Sequence, residues 1–205
     1  MPLQLDLDTT QRFLPAVGYD PQYPYGWEIR MYNDSTARSL WLDGGSAIWG
    51  EVERANQSGF NVAFSVCPRG AGRHGDKAHV VQANALWVDL DAEKFDASDP
   101  ARGKELALAH LRRALPEASQ PTILVDSGFG FHAYWPLNKP YAFDLDGARE
   151  HFENLLRRLA ALLHGDESVA DIARVMRLPG TYNFKIPEKP RLCHIIEFRS
   201  ERCST

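Results

Sequence analysis

A short apolar segment that ends in two aspartates places the strongest constraint on how this chain folds. Residues 85–88 read Ala-Leu-Trp-Val, which is typical of a buried strand, and Asp89-Leu90-Asp91 follows directly. Side chains two positions apart in a strand lie on the same face, so both carboxylates project together. Their repulsion would raise the pKa of each, and a divalent cation such as Mg²⁺ would relieve it. The pair predicts a metal site, but a solvated strand end and the DxD site of a nucleotide-sugar transferase fit the same residues.

The remaining hydrophobic pattern predicts an alternation of strands and helices around this segment. Alternating or β-branched residues predict further strands at 27–32, 60–66, 122–125, 131–135 and 193–198. Apolar residues at helical spacing predict helices at 9–17, 44–57, 101–115 and 145–164. Hairpins and long crossover helices are mixed in this order, so we expect an α+β fold with a mostly antiparallel sheet.

Composition sets the general class of the protein. The chain has 205 residues, 44% of them hydrophobic and 24% charged, as in ordinary globular proteins. No basic segment precedes an apolar run at the N-terminus, and no apolar run reaches the roughly 20 residues that cross a bilayer. The three cysteines, Cys67, Cys193 and Cys203, are far apart and form no CxxC pair. We therefore expect no disulfide framework and a cytoplasmic location without membrane attachment.

The charge distribution is uneven along the chain. The formal net charge of −4 argues against a surface that is basic throughout. From residue 171 onward, however, the sequence contains seven basic and four acidic residues, which gives this segment a net charge of +3. A second basic group, Arg69, Arg73 and Lys77, lies in a glycine-rich loop. Metal-binding acids flanked by phosphate-binding bases would give this near-neutral total, although charge alone does not decide it.

A glycine-containing turn forms the second candidate segment. Ser127-Gly128-Phe129-Gly130 leads into Phe131 and His132. Two glycines one residue apart let a backbone approach a ligand and direct its N–H groups toward phosphate oxygens. His132 would follow on the emerging strand, within reach of the same phosphate. A plain hairpin turn, with His132 on the sheet face, explains the residues equally well.

The third segment, residues 171–185, concentrates polar groups around a rigid turn. Asp171 is followed by Arg174 and Arg177, then by Leu-Pro-Gly-Thr, and the segment ends at Lys185. A guanidinium can bind a triphosphate with two parallel hydrogen bonds, and a lysine adds a point charge. The alternative is a helix end capped by a turn, with solvated arginines.

Together these three segments resemble the archaeo-eukaryotic primase superfamily, and most of all its plasmid- and phage-borne primase-polymerase branch. The first motif of that family is a hydrophobic strand ending in DxD or DxE, and its second is a small-residue turn that reaches a histidine. Its third is a further acid, followed in mobile-element members by Arg-Leu-Pro-Gly-Thr-x-Asn-x-Lys. The resemblance covers about residues 60 to 190. Asp166 lies close to Asp171, but Asp171 stands just ahead of the two arginines, as in the family.

The resemblance implies a single catalytic domain with an N-terminal α/β module at 1–80 and an RRM-like antiparallel sheet at 81–205. It implies template-dependent nucleotidyl transfer with release of pyrophosphate, catalysed with two Mg²⁺ or Mn²⁺ ions. The implied metal ligands and catalytic residues are Asp89, Asp91 and Asp171. The implied nucleotide-binding residues are Ser127, Gly128, Gly130, His132, Arg177 and Lys185. Arg69, Arg73, Arg174 and Lys189 are candidates for contacts with the template.

The expected partners are a single-stranded DNA template, a primer and a dNTP or NTP. We also expect the chain to act with a helicase, as part of a larger replication protein. Two other functions remain open at the level of sequence: a single-stranded DNA-binding replication-initiation module without catalysis, and a DxD metal-dependent phosphohydrolase or sugar transferase.

Overall fold

The computed structural model describes residues 3–42, 48–70 and 74–199, and within these ranges the chain forms four α-helices and ten β-strands. The helices are α1 (Leu7–Ala16), α2 (Trp49–Gln57), α3 (Pro100–Ala114) and α4 (Ala148–Leu163). The strands are β1 (Trp27–Tyr32), β2 (Ala37–Leu42), β3 (Asn61–Ser65), β4 (Gln82–Asp91), β5 (Ile123–Asp126), β6 (Gly130–Ala142), β7 (Val175–Arg177), β8 (Tyr182–Asn183), β9 (Arg191–Leu192) and β10 (His194–Phe198). The α+β class with antiparallel sheets is confirmed.

Two four-stranded sheets form the framework of the molecule. The first has the order β2-β1-β3-β7 and the second the order β10-β5-β6-β4, with antiparallel neighbours throughout. β8 and β9 pair with each other. The short β7 follows α4 in the chain but joins β3 in the first sheet, with Arg177 opposite Ala63. The first sheet therefore combines three strands from the N-terminal half of the chain with one strand, β7, from the C-terminal half.

Helix boundaries follow local side-chain chemistry. Asp99 begins α3 by accepting hydrogen bonds from the N–H groups of Ala101 and Arg102, and Pro100 needs no such partner at the first helical position. α4 ends at His164, which adopts a left-handed conformation with φ of 53°. None of the helices in the described ranges is long and apolar enough to cross a membrane.

The main hydrophobic core unites the two sheets. Phe13 of α1 is fully buried and makes edge-to-face contacts with Phe64 of β3 at 5.0 Å and Tyr134 of β6 at 5.3 Å. A smaller core lies on the other face of the second sheet, under α3 and α4. Truncation of Phe13 to alanine would cost about 3–5 kcal/mol, because the cavity would open where both sheets meet.

Candidate active site

The alternation of β4 directs its two aspartates out of the main core. Trp87 is buried in that core, and Asp89 and Asp91 continue the same face of the strand toward its end. There they line a cavity of about 130 Å³. The other described residues of its lining are Tyr32, Ser127, Phe129, His132, Arg174, Val175, Met176, Arg177, Asn183 and Lys185. The shared face predicted for Asp89 and Asp91 is thus present.

The two carboxylates occupy an environment that disfavours their charge. Burial raises the pKa of Asp89 to about 6, against the opposing effects of Arg174 and Arg177. Burial also raises the pKa of Asp91, and the charge of Asp89 raises it further. Neither carboxylate accepts a hydrogen bond from a residue in the described ranges, and His132 Nε2 lies 3.7 Å from Asp89 Oδ1. The pair therefore presents carboxylate oxygens of the kind that bind Mg²⁺.

His132 sits opposite Asp89 because β4 and β6 are paired in that register. The side chain is 4% exposed, and burial lowers the pKa of His132 to about 3, with Arg177 adding to the effect. The imidazole is therefore neutral at physiological pH. Its Nδ1 lies 3.4 Å from the hydroxyl of Tyr134, so Nε2 is the ring atom directed toward Asp89.

The turn before His132 is built for close packing of the backbone. A Cβ at Gly130 would lie 2.2 Å from the carbonyl oxygen of Leu90, so only glycine fits beside β4. Gly128 has a φ of +97°, and its N–H donates to Asp126 Oδ1 at 2.8 Å. The N–H of Ser127 donates to Gly130 O at 3.0 Å. Both N–H groups are used within the turn, so the predicted donation of these two groups to a phosphate does not fit this arrangement.

Basic side chains approach the cavity from β7 and the segment after β8. Arg174 and Arg177 line it, and Lys185 lies at its edge with Nζ 3.0 Å from Glu93 Oε1. Arg174 Nε and Arg177 Nη1 are buried and have no acceptor among the described residues. The two guanidinium groups bring positive charge to the cavity, which favours an anionic ligand there.

Asp171 does not join the pair, contrary to the three-carboxylate arrangement expected from the sequence. Its Oδ1 accepts the N–H of Ala173 at 2.8 Å and lies 3.5 Å from Lys77 Nζ. The chain turns between Asp171 and β7, which leaves Asp171 outside the cavity lining while Arg174 is within it. In the part of the chain that the structure describes, no three His, Cys, Asp or Glu side chains are grouped so that they could hold a metal ion.

Asp166 is the acid that lies nearer to the pair. Its N–H donates to the carbonyl oxygen of Asp89 at 2.8 Å, and its charge raises the pKa of both Asp89 and Asp91. Its own carboxylate accepts two hydrogen bonds from Ser168, which lower its pKa against burial, and lies 3.5 Å from Lys94 Nζ. The sequence left Asp166 and Asp171 as alternatives for the third carboxylate, and the position of Asp166 beside Asp89 favours Asp166.

The four candidates for template contacts are in different environments. Arg69 is fully buried, with its guanidinium donating to the carbonyl oxygens of Cys67 at 2.7 Å and Ala173 at 3.0 Å, so it cannot reach a template. The expectation that Arg69 contacts the template, which rested on its place in a glycine-rich loop, is therefore wrong. Arg174 lines the cavity and Lys189 is exposed. Arg73 lies outside the described residues.

Two further residues of the site had no role assigned from the sequence. Asn183 donates from Nδ2 to the carbonyl oxygen of Ser127 at 2.7 Å and so holds the turn in place. Its position in the Arg-Leu-Pro-Gly-Thr-x-Asn-x-Lys motif could have indicated that Asn183 belongs to the site. Tyr32 lies under the guanidinium of Arg177, 5.5 Å from the ring centroid to Cζ, and no local sequence feature indicates it.

Comparison with solved structures identifies the fold. The AEP domain of the primase-polymerase of cyanophage S-2L superposes with a TM-score of 0.70, at 20% identity over 98% of this chain and 95% of that one. The catalytic domain of primase RepB′ in complex with initiator DNA gives 0.57, at 18% identity over 96% and 87%. A structure of primase RepB′ gives 0.58, at 18% identity over 96% and 58%. No family model and no curated protein matches the sequence. The chain therefore has the fold of an archaeo-eukaryotic primase domain, as its motifs had suggested.

Proposed function

We propose that this protein is a template-dependent nucleotidyltransferase, a DNA primase or polymerase, which joins nucleotides with release of pyrophosphate. One observation carries the proposal: two carboxylates whose pKa values are raised and two arginines line the same small cavity. Such a site accommodates a cation and a polyphosphate together, as nucleotidyl transfer requires. The fold shared with the S-2L primase-polymerase and RepB′ supports the same reading.

The donor set fits Mg²⁺ or Mn²⁺. Asp89 and Asp91 offer oxygen ligands, which both ions prefer, and a cation would offset the burial and the carboxylate repulsion that raise their pKa values. We assign the third carboxylate to Asp166 rather than Asp171, because the charge of Asp166 acts on both aspartates; its side chain would have to leave Ser168 and Lys94 to join them at a metal ion. When bound, such ions lower the pKa of an attacking 3′-hydroxyl and neutralise charge on the leaving pyrophosphate.

The protein's own contribution is to bind and orient the incoming nucleotide. Arg174 and Arg177, which line the same cavity as the aspartates, donate to triphosphate oxygens, and Lys185 adds a further positive charge. His132 stays neutral and donates one N–H to the nucleotide without adding charge. Asn183 keeps Ser127 and its turn in register with this group. Positioning and charge neutralisation supply most of the acceleration in reactions of this type.

The natural substrates in this proposal are a single-stranded DNA template, a primer and a dNTP or NTP. A replication protein of a plasmid, phage or other mobile element, acting with a helicase, is the setting in which we place it. The bound initiator DNA of RepB′ and the phage origin of the S-2L enzyme support this setting.

Labelled-nucleotide incorporation on single-stranded DNA tests the function. The protein is incubated with Mg²⁺ or Mn²⁺, with and without a primer, alongside Asp91→Asn and the surface control Asp144→Asn. We expect metal-dependent products and pyrophosphate from the wild type and from Asp144→Asn, and none from Asp91→Asn. Release of monophosphate, or turnover of a sugar nucleotide, would instead make the protein a hydrolase or transferase. DNA binding without any metal-dependent product would make it a binding module.

The third carboxylate is tested separately. Asp166→Asn should abolish incorporation while Asp171→Asn retains most of it, and calorimetric titration with Mn²⁺ should show weaker binding only for Asp166→Asn. The reverse pattern would restore Asp171 as the ligand.

A further inference from the structure

A second and larger cavity lies at the opposite end of the same strands from the aspartate pair. It measures about 440 Å³ and includes Gln82 and Asn84 from the start of β4. At about 3.3 Å per residue, Gln82 lies about 23 Å along the strand from Asp89. The volume is in the range of ordinary ligand sites, about 300–1,000 Å³. The cavity is thus a separate site from the one proposed to bind nucleotides.

The walls of this cavity are aromatic and acidic. Four aromatic residues contribute to it: Tyr19, Tyr23, Tyr25 and Trp27. They form two ring pairs, with centroids 6.1 Å apart for Tyr19 and Trp27 and 6.0 Å apart for Tyr23 and Tyr25. Asp20 is the one charged residue among the described residues of the lining, which include no Lys, Arg or His. A phosphate-bearing ligand would find no counter-charge there, whereas a cation would find both a carboxylate and π-systems.

The floor of the cavity is held by a chain of amide hydrogen bonds. Gln82 Nε2 donates to Asn84 Oδ1 at 2.8 Å, and Asn84 Nδ2 donates to the carbonyl oxygen of Gly18 at 3.1 Å. Gly18 has a φ of +100°, and a Cβ there would lie 2.5 Å from the Asn84 side chain. These contacts use one N–H of each amide and hold both side chains in place. The Gln82 carbonyl and the Asp20 carboxylate are acceptors in the lining that a cationic donor can reach.

We propose that this cavity binds an arginine side chain presented by an extended peptide segment of a partner protein. A guanidinium is planar, cationic and purely a donor, so it matches tyrosine rings, a carboxylate and an amide carbonyl at once. The volume exceeds one guanidinium, and the rim contains four prolines and the half-exposed ring of Tyr23, 52% exposed. These apolar surfaces contact the residues that flank the arginine.

Fluorescence anisotropy with labelled peptides tests the proposal on the intact protein. The probe is a capped pentapeptide with a central arginine between alanines, compared with the same peptide carrying citrulline, which is neutral and nearly isosteric. We expect the arginine peptide to bind at least tenfold more tightly than the citrulline peptide. Asp20→Asn should weaken arginine binding about two- to fivefold while preserving the turn, because an Asn Oδ1 still accepts the N–H of Gln22. The matched control Asp144→Asn should bind as the wild type does.

Further arms separate this site from the alternatives. Tyr23→Ala, at an exposed ring, should also weaken the arginine peptide, and Asp89→Asn should leave its affinity unchanged. Equal binding of the citrulline peptide, equal affinity for free agmatine, or no binding of any cationic probe would each overturn the proposal. Failure here leaves the nucleotidyltransferase assay unaffected, since the two cavities share no lining residue in the described ranges.

Discussion

The aspartate pair leads to a prediction about stability that does not depend on any assay of activity. The pKa of Asp89 is raised from 3.8 to about 6, so its ionised form is less favourable in the folded protein than in the unfolded chain. Each factor of ten in an ionisation equilibrium corresponds to about 1.4 kcal/mol, so the ionised carboxylate destabilises the fold by about 3 kcal/mol at pH 7. Replacing Asp89 with asparagine removes this charge at almost constant volume. We therefore expect Asp89→Asn to stabilise the metal-free protein.

The sign of the pH dependence follows from the direction of the shift. A carboxyl whose pKa is raised in the folded state destabilises the fold above that pKa. The destabilisation is relieved as the pH falls through about 6 toward 3.8. The gain from Asp89→Asn should therefore fall from about 3 kcal/mol at pH 7 to about 0.5 kcal/mol at pH 4. In a chain of this length, 3 kcal/mol corresponds to an increase in Tm of about 6–12 °C.

Thermal or urea unfolding in the presence of a chelator measures this difference, with Asp144→Asn as the control for the loss of one surface charge. Addition of Mn²⁺ should reverse the order, because the ion stabilises only a protein that retains its ligands. If Asp89→Asn is less stable than the wild type at pH 7 without metal, Asp89 stabilises the fold through its charge. The interpretation of the pair as a cation site would then lose its physical basis.

Three shorter predictions concern the surroundings of the site. Gly130→Ala should destabilise the protein by about 1–3 kcal/mol in urea unfolding, because its Cβ would contact the carbonyl oxygen of Leu90. The control Gly50→Ala, within a helix, should be neutral or stabilising. Equal effects of the two substitutions would contradict the close packing at Gly130. The imidazole NMR shifts of His132 should remain those of a neutral ring between pH 5 and 8, and a change to imidazolium shifts in that range would refute its neutral assignment. Cys67 and Cys193 are buried and their thiol pKa values are raised, that of Cys67 to about 12. In a Cys203→Ser variant, the native protein should therefore resist a thiol reagent, and the same reagent should label both remaining cysteines after unfolding.

The sequence predicted the elements whose pattern is local. β1 was expected at 27–32 and is found there, and α4 was expected within three residues of its bounds, because their hydrophobic periodicity is strong. β2 was not predicted, since its first three residues are exposed and show no alternation. β7 and the β8–β9 pair have two or three residues each, and they exist through their partners rather than through their own propensity.

The same division between local and distant information explains the site. Asp89 and Asp91 share a face because the strand period is local, and that face is the one on which Trp87 enters the core. The choice between Asp166 and Asp171 depends on where the chain turns after α4. Asp166 stays beside the end of β4 through its hydrogen bond to the Asp89 carbonyl, and the 3-10 turn at Glu167–Val169 then separates it from Asp171.

The environment of Arg69 shows how a long-range contact can reverse a local expectation. A charged residue in a glycine-rich loop is normally solvated, yet this guanidinium is buried and donates to the carbonyl oxygens of Cys67 and Ala173. Ala173 lies 104 residues further along the chain. Arg69 Nε is buried without a partner, and burial lowers the pKa of Arg69. A buried, incompletely satisfied cation is costly, so Arg69 must fix the junction between the loop and the segment before β7. That junction sets the entry of β7, and thereby the position from which Arg174 and Arg177 face the aspartates.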